Sequence, residues 1–234
     1  MWVGLLFIAK TTPGVATPMF TYAWYGALVV AVLLAGWLWR RLNDRTYMYY
    51  GAYVAAIVVM SLTDHGLGWW LHEHWGEKFV YINNFLHLPY AVFYLLFVIH
   101  YFNVRKLSPG WTRFHRYLLW AYGGALIWLL FDFVTWSFTG SEWAILTCNL
   151  VNLLSSLVLA AIATHQDRPG AREFLFACFP LTLSGLVLVA QFLADSPHDG
   201  GPGLIAFRAG FIIHVMIFLI ALSVRYRELR QHLH

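Results

Sequence analysis

The sequence predicts an all-α, polytopic membrane protein with seven transmembrane helices, the N-terminus outside the cell and the C-terminus in the cytoplasm. Three observations lead to this fold class. The chain is 60% apolar and only 11% charged, whereas soluble domains carry about 25% charged residues. Its charges lie in short clusters between apolar runs that are long enough to cross a bilayer. Finally, most basic residues fall in alternate connectors, which is the pattern that sets membrane orientation.

The stretch from Arg40 to Trp70 shows this pattern in one segment. A basic and aromatic start precedes the run from Gly51 to Leu62, which carries no formal charge. Read as one helix, Tyr47 to Trp70 would be about 35 Å long, enough to cross a hydrocarbon core of about 30 Å. Aromatic residues at the ends of such a helix belong at the headgroup level. At the basic end, the predicted interface belt consists of Tyr47, Tyr49 and Tyr50.

Seven apolar runs are predicted to span the membrane. They are residues 20–39, 47–70, 79–102, 117–138, 142–164, 173–194 and 203–224. We expect residues 1–19 to form an irregular extracytoplasmic or interfacial lead-in, 20–230 the seven-helix domain, and 231–234 a short cytoplasmic tail. Turn-rich connectors such as Ser108-Pro109-Gly110 separate the runs.

The basic residues predict the orientation. Connectors 1–2, 3–4 and 5–6 and the C-terminal tail carry twelve of them: Arg40, Arg41, Arg45, Arg105, Lys106, Arg113, Arg116, Arg168, Arg172, Arg225, Arg227 and Arg230. The opposite side carries three, namely Lys10, Lys78 and Arg208. Because Lys and Arg in short loops are retained in the cytoplasm, we expect a multi-pass protein of the inner (plasma) membrane, N-out and C-in.

Polar and ionisable side chains within the spans lie mainly in the predicted outer half of the bilayer. Such groups are costly in lipid and normally face a bundle interior or a wet cavity. We therefore predict a polar pocket, open to the outside, that binds a small ligand. The candidate ligand-binding residues are Asp64, His65, Asn83, Asn84, His87, Asp132, Asn149, Asn152, Arg208 and His214.

Helical spacing relates some of these residues to one another. The pairs predicted to share a helix face are Asn83 with His87, Asn149 with Asn152, and Asp132 with Trp136. Arg208 and His214 are six residues apart, so we expect at most one of them to point at the cavity centre. Pro89 should bend the third span and free a backbone carbonyl.

The same residues permit other interpretations. A single Asn in a span is more often an interhelical hydrogen-bond strut than a ligand contact. His65, His87 and His214 with a carboxylate would suit zinc if they converged, so an integral-membrane, metal-dependent hydrolase is an alternative function. No two of these histidines have ligand spacing within one helix. A structural or assembly subunit and proton-coupled transport are further alternatives.

Several short motifs, in order over the seven spans, carry a family resemblance. They are Asn43-Asp44-Arg45-Thr46-Tyr47-Met48-Tyr49-Tyr50, Gly66-Leu67 with Trp70, Asn83-Asn84, the stretch Phe97 to Pro109, and Gly210 leading to Ala221-Leu222-Ser223-Val224-Arg225-Tyr226-Arg227. In these motifs the chain resembles the bacterial seven-transmembrane receptors with diverse intracellular signalling modules. The resemblance covers about residues 22 to 230.

This resemblance implies a receptor that senses a signal outside the cell and passes it inward. Such receptors usually carry a β-rich sensor domain before the first helix and a histidine kinase, cyclic-dinucleotide enzyme or related output after the last. Only nineteen residues precede the first predicted span here, and about ten follow the last. We therefore expect the membrane core of a longer protein or a stand-alone member that signals through a cytoplasmic effector. We expect no enzyme activity of its own, no catalytic residues, no metal or other cofactor, and no nucleic-acid partner.

Overall fold

The computed structural model describes residues 18–63, 66–76, 79–137, 140–193 and 202–231, and every regular element in these ranges is a helix. In chain order, the helices are α1 (Pro18–Leu42), α2 (Arg45–Thr63), α3 (Gly66–Trp75), α4 (Phe79–Tyr101), α5 (Val104–Leu107), α6 (Pro109–Thr135), α7 (Ser141–His165), α8 (Ala171–Leu193) and α9 (Pro202–Gln231).

The all-helical part of the predicted fold class is confirmed. Within the described ranges, four helical stretches are long and apolar enough to cross a membrane: Tyr22–Leu42, Asn84–Tyr101, Pro109–Thr135 and Ser141–His165. A shorter apolar stretch covers Arg208–Val224 of α9. The count of seven spans and the orientation stay predictions.

Two predicted boundaries fall partly outside the described residues. Residues 1–17 of the expected irregular lead-in lie outside them, and its last two residues, Pro18 and Met19, already belong to α1. In the predicted span 47–70, α2 is described to Thr63 and α3 from Gly66, and residues 64–65 lie outside the described part.

The connector at Ser108-Pro109-Gly110 was predicted as a turn between spans, and this prediction is wrong for two of its residues. Ser108 is extended (φ −164°, ψ 133°) and caps α6, while Pro109 occupies the first helical position. Proline is favoured there because its fixed φ suits a helix and its missing N–H would have no partner in the first turn. The helix therefore begins at Pro109 and not near residue 117.

The core lies between α2, α4, α8 and α9 and is largely aromatic. Phe97 of α4 has its ring centroid 5.3 Å from that of Tyr50, 6.0 Å from that of Phe174 and 5.2 Å from that of Phe218. Each such pair contributes about 0.5–1.5 kcal/mol beyond its buried area. One aromatic cluster thus joins four helices that are distant in sequence.

The predicted interface belt at the start of α2 is wrong for two of its three tyrosines. Tyr47 and Tyr50 are fully buried, and the Tyr47 hydroxyl donates to the Leu222 carbonyl of α9 at 3.3 Å. Tyr49 is half-buried and packs on His100, with ring centroids 4.6 Å apart. Positions 47, 50 and 54 follow the inward face of a helix, so the tyrosines belong to its packing stripe.

Two glycines permit close approaches between helices. A Cβ on Gly210 of α9 would lie 2.7 Å from Ser184 Cβ and 2.9 Å from the Pro180 carbonyl oxygen, both on α8. Gly170, in the turn before α8, has φ +72° and accepts a hydrogen bond on its carbonyl from the Tyr101 hydroxyl at 2.9 Å. The first contact fixes α9 against α8, and the second fixes the α7–α8 turn against the end of α4.

We predict that Gly210→Ala lowers the free energy of unfolding by about 1–3 kcal/mol, the usual cost of overpacking a close contact. Gly185→Ala on α8 is the matched control, because a Cβ there meets nothing within 4 Å. The melting temperature of the purified protein in detergent measures both effects. A Gly210→Ala protein as stable as the Gly185→Ala protein would contradict the close approach.

Candidate functional site

Two asparagines of α7 form the centre of a polar network with α6. The Tyr122 hydroxyl donates to Asn149 Oδ1 at 2.9 Å, and it accepts a hydrogen bond from Asn152 Nδ2 at 3.3 Å. The i, i+3 spacing predicted a shared face for the two asparagines, and their common partner bears this out. Tyr122 itself is buried, with 2% of its surface exposed.

The network continues to α4. Asn149 Nδ2 donates to the Tyr90 hydroxyl at 3.3 Å, and Asn152 Nδ2 also donates to the Ala91 carbonyl at 3.0 Å. The His87 ring lies on Tyr90, with centroids 5.6 Å apart in an edge arrangement. The buried Asn152 Oδ1 has no hydrogen-bond partner among the described residues, which leaves an acceptor for a donor group from outside the network.

A second polar network surrounds His214 of α9, which is fully buried. Its Nδ1 lies 2.9 Å from the Ala177 carbonyl of α8, and its Nε2 lies 3.5 Å from the Tyr53 hydroxyl of α2. Because a carbonyl only accepts, Nδ1 carries the proton, and Nε2 of the neutral ring accepts from Tyr53. This hydrogen bond joins α9 to the backbone of α8 one turn before Pro180.

Side chains between these networks connect them. The Tyr94 hydroxyl lies 3.3 Å from Cys178 Sγ on α8 and close to the Ser156 side chain on α7. The Ser156 hydroxyl also donates to the Asn152 carbonyl at 2.7 Å. The Tyr94 ring packs on that of Tyr53, with centroids 5.2 Å apart. Contacts therefore run from Asn152 on α7 through α4 to the partners of His214.

Other predicted site residues occupy different places. Asp64 and His65 lie outside the described residues, and so does the side chain of Asn83. Asn84 is buried, with 9% of its surface exposed, and Arg208 is buried as well. Arg208 and His214 both lie inside the bundle despite their six-residue separation.

Asp132 has a structural contact at the α6–α7 turn. Its fully buried carboxylate accepts the Ser141 N–H through Oδ2 at 3.4 Å, at the start of α7. Negative charge is favoured at this end of a helix. The predicted shared helix face with Trp136 is wrong, because Trp136 follows the end of α6 in the left-handed conformation (φ 55°) and is 53% exposed.

The sequence pattern indicates the asparagines and histidines but not the tyrosines that join them. Tyr90 lies three residues after His87, and Tyr94 lies four residues further along the same face of α4. That spacing is the signal which could have identified them. The sequence gives no comparable spacing signal for Tyr53 and Tyr122, because the partners of their hydroxyls lie on other helices.

The zinc arrangement considered for His65, His87 and His214 is not assembled by the residues that the structure describes. In those ranges, no three His, Cys, Asp or Glu side chains converge as metal ligands would. His214 also has both ring nitrogens directed at protein partners.

We predict that Tyr122→Phe lowers the free energy of unfolding by about 0.6–1.7 kcal/mol, the range measured for interhelical hydrogen bonds in membranes. Tyr117→Phe is the control, because Tyr117 lies on the same helix and is 68% exposed. Asn152→Leu, alone and combined with Tyr122→Phe, completes a double-mutant cycle with a thermal-melting readout. Additive losses would contradict the shared network, because residues in contact couple.

The comparisons with known proteins agree with this helical architecture. The family described as 7TM diverse intracellular signalling matches residues 18–225. Neither the curated proteins nor the solved structures contain a significant match to the chain. The matched range includes every helix from α1 into the last turns of α9 and all of the polar contacts described above. The chain therefore belongs to the 7TM diverse intracellular signalling family.

Proposed function

We propose that this chain is a membrane receptor domain that senses a small extracytoplasmic ligand and signals inward through its last helix. The family match over residues 18–225 carries this proposal, because it joins a bundle of apolar helices to intracellular signalling. The cytoplasmic effector is either part of the same protein or a partner chain.

The ligand would bind among the polar residues expected in the outer half of the bundle. Asn84, His87, Asn149 and Asn152 are the described members on α4 and α7, and Asp64 and His65 are proposed to join them. Asn152 Oδ1 supports this assignment, because an unpaired buried acceptor costs about 1–3 kcal/mol. A ligand hydroxyl or ammonium group would remove that cost, which favours a small polar or amphipathic molecule with a hydrogen-bond donor.

The last helix is the proposed output. His214 connects α9 to α8 and lies near Tyr53 of α2, so a change in the bundle that displaces Tyr53 or α8 changes the environment of α9. The exit of α9, Ser223 to Arg230, is basic and suits contact with a cytoplasmic effector. A ligand would shift the bundle toward whichever of two arrangements it binds more tightly.

The arrangement of the helix ends supports the proposed N-out, C-in orientation. The start of α2, the end of α4 and the α7–α8 turn meet at one end of the bundle through Tyr49 with His100 and Tyr101 with Gly170. Connectors at this end carry nine of the twelve residues counted as cytoplasmic. They are Arg40, Arg41, Arg45, Arg105, Lys106, Arg113, Arg116, Arg168 and Arg172.

We predict that a green fluorescent protein fused after His234 fluoresces and that alkaline phosphatase fused at the same point is inactive. The first reporter works in the cytoplasm and the second only outside it. Fusions in the connector near Lys78 should give the opposite result. An active phosphatase after His234 would overturn the orientation and with it the outward-facing pocket.

We predict that His87→Ala weakens ligand binding without preventing membrane insertion. A panel of small polar compounds is first screened for one that raises the melting temperature of the parent. At a concentration of 100 Kd such a compound stabilises by about 2.7 kcal/mol, and a tenfold weaker Kd reduces this by about 1.4 kcal/mol. Asp64→Asn should act in the same direction.

His74→Ala is the matched control for this measurement, since His74 is exposed and its Nδ1 bonds the Trp70 carbonyl four residues earlier. Equal stabilisation of the parent, His87→Ala and His74→Ala proteins by the compound would remove His87 from the site.

A further inference from the structure

A cleft of about 280 Å³ lies at the elbow between α4 and α6, outside the polar networks described above. Its apolar wall includes Ile99 near the end of α4 and Leu119 in the third turn of α6. Its polar lining includes Arg105 of α5 and Arg116 and His115 of α6. The cleft therefore has a hydrocarbon side and a cationic side.

Local backbone geometry produces the elbow. Asn103 adopts the left-handed conformation (φ 48°), α5 lasts only from Val104 to Leu107, and Ser108 is extended before α6 begins. Asn tolerates the left-handed region better than most residues, and Pro109 then restarts the helix. The chain reverses over a few residues, so Arg105 and Arg116 come to line the same cleft.

None of the described residues that line this cleft is an Asp or Glu. No Asp or Glu occurs between Lys78 and Asp132, and α2, which packs on α4, contains none either. Arg105 and Arg116 form no ion pair within the described part of the chain. Unpaired guanidinium groups favour anions that accept two parallel hydrogen bonds, such as carboxylate and phosphate.

His115 is a second, independent indication of a ligand. It lines the cleft with 1% of its surface exposed, and its Nδ1 lies 2.8 Å from the Trp111 carbonyl. Nδ1 therefore carries a proton, which leaves Nε2 as the free ring nitrogen. Nε2 is buried without a hydrogen-bond partner among the described residues, and such a group calls for a partner that those residues do not provide.

We propose that the elbow cleft binds an anionic phospholipid, with its headgroup phosphate between Arg105 and Arg116 and an acyl chain along Ile99 and Leu119. The proposal commits to a lipid and not to free phosphate because the cleft joins the ends of two helices, Asn84–Tyr101 and Pro109–Thr135, that are each long and apolar enough to cross a membrane. Phosphate headgroups lie at that level, beside hydrocarbon. This proposal does not depend on the receptor function.

The test uses the full chain purified in micelles that contain equal amounts of phosphatidylglycerol and phosphatidylcholine. Native mass spectrometry then measures the ratio of the two lipids retained by the protein. The parent should retain the anionic lipid preferentially. Each of Arg105→Gln and Arg116→Gln should reduce this preference about fivefold, the effect of one basic side chain near an anionic surface.

Two further variants separate the cleft from general surface charge. Lys106→Gln with Arg113→Gln removes two exposed charges from the same elbow without altering the residues that line the cleft, so the preference should persist. Leu119→Trp keeps every charge and fills the cleft, so the preference should be lost. Circular dichroism and melting temperature confirm that each variant is folded.

Four results would overturn the proposal. The first is a parent that retains both lipids equally, and the second is an equal loss of preference in the single cleft variants and the control double variant. The third is a Leu119→Trp protein that keeps its preference, and the fourth is displacement of the lipid by millimolar inorganic phosphate. The last result would assign the cleft to a soluble phosphate compound.

Discussion

A hydrogen-bonding side chain buried in a helix bundle needs a partner inside the bundle, and where that partner lies on a neighbouring helix it constrains how the two helices are arranged. In lipid there is little water to satisfy such groups, so each unpaired one costs several kcal/mol. Asn152 reaches α4 and α6, and His214 reaches α8 and α2. Burial of apolar surface brings the helices together without specifying how each is rotated about its own axis. The polar contacts, in contrast, form at only one rotation of each helix. The polar residues therefore fix how the helices are rotated against one another, and they also form the candidate site.

The all-helical class could be predicted from the sequence. Long apolar runs between charged connectors predict helices directly, and the long described helices overlap these runs, although α3 extends past one run and α5 lies in a connector. The start of α6 could not be predicted in this way, because Pro109-Gly110 has the composition of a turn whether or not a helix follows. The burial of Tyr47 and Tyr50 was missed for a related reason. An aromatic cluster beside arginines has the same appearance in a sequence whether it faces headgroups or the core.

The candidate site was predictable only at the level of residue types. Asn149 and Asn152 were expected on one face, and both contact Tyr122. That Asp132 lines the pocket stays a prediction; its Oδ2 accepts the Ser141 N–H at the start of α7, a contact that sequence spacing could not indicate. His115 lies close to Arg113 and Arg116 in the sequence and is nevertheless buried at the elbow. Which side chains meet across two helices depends on the crossing angle and rotation of those helices, and these cannot be read from a single sequence.

The close contact at Gly210 has a mechanical consequence. With room for only a hydrogen atom between α9 and the Pro180 carbonyl, the two helices cannot slide past each other without a collision of backbone against backbone. We expect the two helices to move as one unit, held near its basic end where the Tyr101 hydroxyl donates to the Gly170 carbonyl. A tilt of this unit would move the α7–α8 turn and the end of α9 together, and the proposed effector would then have two neighbouring surfaces that report a single motion.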